Sequence, residues 1–243
     1  MYQSCIFDLY GTLVDIRTDE GTNEFWDKVA EIYKSNGAHY ESRELRALYL
    51  HYTKLQDKLL HILHPFCRDI EIDLKRVFDK LYRVKGVKAD DKIIAETALQ
   101  FRKASTQFIR LYDGVLDLLD NLKIAGKKIY LLSNAQSCFT LPELEMLGIT
   151  DYFDGILISS DCGCKKPGKR FFDILLRRYK IDKSTAIMIG NDCYSDMLGA
   201  ENAGLDSLYI HQEISTPLEG NTLVCNYSVM DGDVSKMKQY LIK

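Results

Sequence analysis

Residues 5–15 read CIFDLYGTLVD. A short apolar run ends in an acid, Asp8, followed by a phenol, Tyr10, and then by Gly11 and Thr12. An apolar run of this length, stopped by a Gly-containing turn, predicts a short buried strand over residues 3–8. Asp8 then stands at the end of that strand.

Outward from this stretch the pattern changes twice. Residues 20–35, 41–63, 70–83 and 90–111 carry apolar residues at helical spacing, such as Phe25, Val29 and Ile32, or Leu45, Leu48, Tyr52 and Leu55. Asn36-Gly37, His64-Pro65 and Lys85-Gly86 punctuate them. No strand is expected between about residues 18 and 111. Beyond 112, helix and strand alternate: helix 115–125, strand 128–133, helix 141–147, strand 155–159, helix 168–179, strand 186–190, helix 195–203 and strand 207–211. A short strand at 222–225 and a helix at 234–241 close the chain. Alternation predicts a parallel sheet covered on both faces. The near-continuous apolar strands, AIMIG at 186–190 among them, are what two-sided burial requires. The expected fold class is α/β: a Rossmann-like parallel-sheet core, residues 1–15 and 112–243, with an all-helical cap domain, residues 16–111, inserted after the first strand.

Bulk properties exclude several classes. The 243 residues are 46% hydrophobic and 28% charged, ordinary for a soluble globular chain. A net charge of −3 gives no reason to expect a nucleic-acid surface. No apolar stretch approaches the roughly 20 residues that span a bilayer, and no basic region followed by an apolar stretch marks a secretory signal. Seven cysteines, an odd number, do not form a disulfide framework. Cys162 and Cys164 lack the second pair that a zinc site needs. Reduced thiols in a cytoplasmic protein are expected.

Ligands of an open parallel sheet bind outside the carboxyl ends of its strands. Four polar clusters follow four strands here: Asp8, Tyr10 and Thr12; Ser133 and Asn134; Lys165 and Lys166 before Pro167; and Asn191, Asp192 and Asp196. Each alone has an ordinary reading. Ser133-Asn134 suits a turn, and Asp192 and Ser195 suit a helix cap. Their joint placement at one sheet edge points to a site.

On FDLYGTLVD, LLSNAQ, KKPGKRFF and IGNDCYSDMLGAENAG, in that order and with a helical segment between the first two, the chain resembles the haloacid dehalogenase-like hydrolase superfamily. The resemblance implies that Asp8 is a nucleophile that forms an aspartyl ester, later hydrolysed by water. It assigns Lys166, directly before the proline, as the cation beside Asp8, with Lys165 turned to solvent. Thr12, Ser133 and Asn134 would hold the transferring group. The helical cap would close over the site.

Tyr10 divides the reading. Most phosphatases of the superfamily carry a second Asp there as general acid, help worth roughly 10²–10⁴-fold. The D-x-Y-G-T form instead resembles 2-haloacid dehalogenases, whose halide leaves without a proton. Arg46, in RALYLHYT, resembles the halide-binding arginine of their cap. Against this, Phe172 and Cys193 depart from the dehalogenase pattern. Asp8, the Tyr10 carbonyl, and Asp192 with Asn191 or Asp196 make an oxygen-rich set that suits Mg²⁺. The expectation is a Mg²⁺-dependent phosphatase-type hydrolase of a small anionic, phosphorylated metabolite. A metal-independent 2-haloacid dehalogenase and a non-enzymatic binding protein on the same fold are the alternatives. Neither a nucleic-acid nor a membrane partner is expected, and the oligomeric state is left open.

Overall fold

The computed structural model describes residues 1–218 and 223–242. In chain order, β1 (Ser4–Phe7) and β2 (Val14–Thr18) precede four helices: α1 (Asn23–Ser35), α2 (Ser42–Leu63), α3 (Leu74–Val84) and α4 (Asp91–Ser105). Then come β3 (Thr106–Leu111), α5 (Val115–Ile124), β4 (Lys128–Ser133), α6 (Ser137–Met146), β5 (Gly155–Ile158), α7 (Ser159–Cys162) and α8 (Lys169–Tyr179). The chain closes with β6 (Ala186–Gly190), α9 (Gly199–Ala203), β7 (Asp206–Ile210), β8 (Tyr227–Val229) and α10 (Lys238–Leu241).

Six strands form one sheet in the order β5-β4-β1-β6-β7-β8, every neighbouring pair parallel. Both faces are covered, as the apolar strands require. Successive residues of a strand point to opposite faces. Accordingly Cys5 and Phe7 join Leu119, Leu131 and Ile189 on one side, and Ile6 joins Leu132, Phe172 and Met188 on the other.

Helices α1–α4 form a bundle with its own aromatic core of Phe25, Trp26, Tyr49, Phe78 and Phe101. Helix starts follow the side chains that precede them. Thr22 accepts the Phe25 N–H at 3.1 Å and Asp90 the Ile93 N–H at 2.8 Å. The bundle sits on α6, whose Phe139 stacks on Phe101 with ring centroids 6.0 Å apart. Three polar ties fix the other side. The Leu74 N–H donates to Gln136 Oε1 at 2.8 Å, the Lys165 N–H to the Asp69 carbonyl at 2.9 Å, and Ser159 Oγ to Glu71 Oε2 at 3.0 Å. Among the described residues, no helix is long and apolar enough to cross a membrane.

The structure departs from the sequence expectation at several elements. The helix expected over 90–111 stops at Ser105, and Thr106–Leu111 is a strand paired antiparallel with Val14–Thr18. This ribbon, with Arg110 bonded to Asp15 at 2.8 Å, joins strands some ninety residues apart and leaves no local periodicity to read. The helix expected from residue 70 begins at Leu74, after its Asp73 cap. The helix expected at 141–147 begins at Ser137, four residues before Leu141, and carries Pro142 inside it. Of the strand expected at 222–225, Thr222 lies outside the described residues; 223–225 are irregular, and the last strand is Tyr227–Val229.

Candidate active site

Parallel neighbours bring the carboxyl ends of β5, β4, β1 and β6 together. Phe7 lies in register with Leu131 and Ile189, so Asp8 leaves the sheet level with Leu132 and Gly190. Asp8 is buried to 8% exposure. Beyond it the chain turns tightly, with the Leu9 carbonyl accepting from the Thr12, Leu13 and Val14 N–H groups. Gly11 makes the turn with φ +81°, and a Cβ there would lie 2.3 Å from the Asn191 amide. Glycine therefore serves both the backbone angle and the close approach of the β6 loop.

Lys166 crosses to Asp8 from the loop before α8. Its Nζ lies 2.6 Å from Asp8 Oδ1 and 2.7 Å from Asp196 Oδ1, with the side chain 1% exposed. Burial alone would push the ammonium down; Asp196 and Asp8 outweigh it and hold the lysine charged. Burial, and then Asp8, push the Asp196 carboxyl up against the pull of Lys166. Two neighbours position this pair. The Asn134 amide grips the Lys166 backbone twice, accepting from its N–H at 2.8 Å and donating to its carbonyl at 2.9 Å. Gly190 leaves room for Asp196: a Cβ there would fall 2.3 Å from the carboxyl carbon.

The other expected residues take different roles. Asn134 spends its amide on Lys166 rather than on a ligand. Thr12, fully buried, donates to Asn191 Oδ1 at 3.3 Å. Ser133 alone keeps an uncommitted hydroxyl, buried and without a partner among the described residues. Lys165 stays outside the cluster and lies near Glu71, whose carboxyl it pulls down against burial. Arg46 does not join the others. It lines a cleft of the bundle together with Asn23, Trp26, Ser42 and Leu50, all from α1 and α2.

The expected metal set is also thinned. Asp192 caps the helical turns after β6, accepting from the Tyr194 N–H at 3.0 Å and the Ser195 N–H at 2.6 Å, and Thr216 donates to its second oxygen at 2.6 Å. Burial pushes this carboxyl up, and those donors together hold it below the usual range. Asp196 faces Lys166 and accepts the Asp192 N–H at 3.0 Å. Among the described residues, no three His, Cys, Asp or Glu side chains gather as a metal site. A cation would rest on Asp8, the Tyr10 carbonyl and Asn191 Oδ1. That set fits Mg²⁺, an oxygen-seeking ion often held by one or two carboxylates, waters and substrate phosphate.

Tyr10 reveals residues the sequence did not flag. Its phenol donates to Glu143 Oε2 and meets Thr140 Oγ1 at 3.0 Å, both on α6. Arg102, in the last turn of α4, donates to Glu143 Oε1 at 2.7 Å. The guanidinium lies 5.7 Å from the Tyr10 ring centroid and 5.2 Å from that of Phe139. Burial, with Glu143 next, pushes the phenol above its ordinary range. Glu143 and Arg102 belong to helices whose other charges face water, so no spacing singles them out. Their side-chain exposures of 9% and 16% do.

The family model of haloacid dehalogenase-like hydrolases matches residues 2–204. The chain is 28% identical over 186 residues to the glyceraldehyde 3-phosphate phosphatase of Methanothermobacter thermautotrophicus, covering 73% of this chain and 81% of that one. Among solved structures, a 2-haloacid dehalogenase from Pseudomonas syringae pv. Tomato DC3000 superposes with TM-score 0.66 at 20% identity, over 99% of this chain and 98% of that one. The magnesium-bound HAD-hydrolase YfnB of Bacillus subtilis superposes with TM-score 0.58 at 18% identity, over 100% and 99%. Identities this low speak for the fold.

Proposed function

Because the chain belongs to the haloacid dehalogenase-like hydrolases, we propose that it is a Mg²⁺-dependent phosphatase of a small phosphorylated metabolite, working through an aspartyl-phosphate on Asp8. The observation that carries this reading is the pairing of the buried Asp8–Lys166 ion pair with the unpartnered Ser133 hydroxyl, one residue past the level of Asp8 on the neighbouring strand. The first is an oxygen nucleophile with a fixed cation; the second is a donor that awaits an acceptor such as a phosphoryl oxygen.

Lys166 holds Asp8 Oδ1, which leaves Oδ2 as the attacking atom. Attack forms the Asp8 O–P bond and breaks the P–O bond to the leaving group, whose oxygen keeps the electron pair. Ser133 Oγ and the Lys166 ammonium stabilise negative charge on the phosphoryl oxygens. Water then attacks phosphorus and returns the electron pair to Asp8. Asp196 keeps Lys166 in place, Asn134 keeps its loop in place, and Thr12 keeps Asn191 in place. Mg²⁺, held by Asp8, the Tyr10 carbonyl and Asn191, would supply charge neutralisation at the phosphate.

The α1–α4 bundle serves as the cap. Asp8, Lys166 and Ser133 are all buried, and movement of the bundle would open them to substrate. The phosphatase relatives support this reading at the level of substrate class. Tyr10 supports the second reading, a 2-haloacid dehalogenase, because its proton is already committed to Glu143.

The test is phosphate release from a panel of small phosphate esters and anhydrides, and halide release from 2-chloropropionate, each with Mg²⁺ and with chelator. Phosphate release that needs Mg²⁺ is expected. Halide release indifferent to chelator, without phosphate release, would replace this reading with the second.

A further inference from the structure

We propose, resting on the phosphatase reading, that this site selects phosphoryl compounds whose leaving group departs without a proton, namely acyl phosphates, over alkyl or sugar phosphate monoesters. Most hydrogens around Asp8 are already committed. Lys166 is clasped between Asp8 and Asp196 with its side chain 1% exposed. Thr12 gives its hydrogen to Asn191, and Asn134 gives its own to the Lys166 carbonyl. Asp192 accepts from three donors at the start of the next helix. Tyr10, two residues past Asp8, gives its hydrogen to Glu143.

That last commitment is built from three separate elements. Tyr10 lies on the β1 loop, Glu143 and Thr140 on α6, and Arg102 on the last turn of α4. Glu143 cannot turn toward Asp8 without leaving Arg102 unpaired in a site where both side chains are nearly closed to water. Asp196 turns its oxygens to Lys166 and the Asp192 N–H, and of the site hydroxyls of Tyr10, Thr12 and Ser133 only that of Ser133 is uncommitted among the described residues; an alcohol is a poor proton source.

An alkoxide must take up a proton as it leaves; a carboxylate need not. With an acyl phosphate, the bond from Asp8 to phosphorus forms, the bond from phosphorus to the acyl oxygen breaks, and the electron pair leaves as a carboxylate. Water then splits the aspartyl-phosphate, and both of its protons end on the released phosphate. No general acid is needed in the first step.

The experiment measures kcat/KM with Mg²⁺ for acetyl phosphate, 4-nitrophenyl phosphate, phenyl phosphate and glycerol phosphate, in wild type, Tyr10→Phe and Tyr10→Asp. Wild type is expected to favour acetyl phosphate over glycerol phosphate by at least the roughly 10²-fold that a missing general acid removes. Tyr10→Phe should leave that ratio at its wild-type value. Tyr10→Asp, which places a carboxyl group free of Glu143, should shrink the ratio by about 10²-fold or more. Equal wild-type rates on the two substrates would overturn the proposal and leave the phosphatase reading standing. So would a Tyr10→Phe variant that loses glycerol phosphate alone, since the phenol would then be the acid. No release above solvent hydrolysis from any of the four would overturn both. Should Tyr10→Asp fail to fold, the wild-type ratio and Tyr10→Phe still decide.

Discussion

Replacing Lys166 by Met keeps the length of the side chain and removes its charge, so it tests what the ammonium does between two acids. The Nζ contacts of 2.6 Å to Asp8 and 2.7 Å to Asp196, laid end to end, put the two carboxylate oxygens at most about 5.3 Å apart. At an effective dielectric of about 20, like charges at that separation repel by about 3 kcal/mol, equivalent to about 2 pH units. Without the lysine, Asp196, which burial already pushes up to about 7 against the pull of Lys166, would keep its proton to still higher pH. The folded-state pKa is then raised above the unfolded one. Stability is therefore retained below about pH 4 in both proteins, and the variant's further loss, about 3 kcal/mol from the repulsion, comes as pH rises above about 7. The assay is urea unfolding of wild type and Lys166→Met from pH 4 to 9 with chelator present. The variant's unfolding free energy should fall away from wild type above about pH 7. Parallel curves would refute the reasoning, because they would mean that the lysine does not separate two interacting carboxylates.

Three further outcomes follow from the same geometry. Asp8→Asn should abolish phosphate release while leaving the circular dichroism spectrum unchanged; a variant with wild-type turnover would remove the aspartyl-phosphate. Glu143→Ala should destabilise the protein by about 3–5 kcal/mol, because Arg102 is left charged, unpaired and only 16% exposed; denaturant unfolding that shows less than about 1 kcal/mol would mean the pair is effectively solvated. Asn191→Asp should tighten Mg²⁺ binding by adding a second carboxylate to a set that has one; a calorimetric titration with unchanged affinity would place Asn191 outside the metal shell.

The sequence alone determined the sheet and the edge at which its polar residues gather. An apolar run ending in Asp8, and three later strands each followed by polar residues, require a parallel sheet to gather those residues, since strands buried on both faces need helices between them. Lys166 was legible because it directly precedes Pro167 in a motif whose order was complete. The sequence did not decide among equals. Asp192 and Asp196 are both acids within one turn of the same loop; only folding shows that Asp192 caps the helix while Asp196 reaches Lys166 through the space left by Gly190. Arg46 and Arg102 both sit on amphipathic helices, and only packing sends Arg102 to Glu143 and Tyr10 while Arg46 stays in a cleft of the bundle. The ribbon of Val14–Thr18 and Thr106–Leu111 pairs strands that are distant in the chain. Local periodicity records which face of an element is apolar; it carries no record of which distant charge or strand will meet that face, and those meetings exist only once the bundle and the sheet have packed.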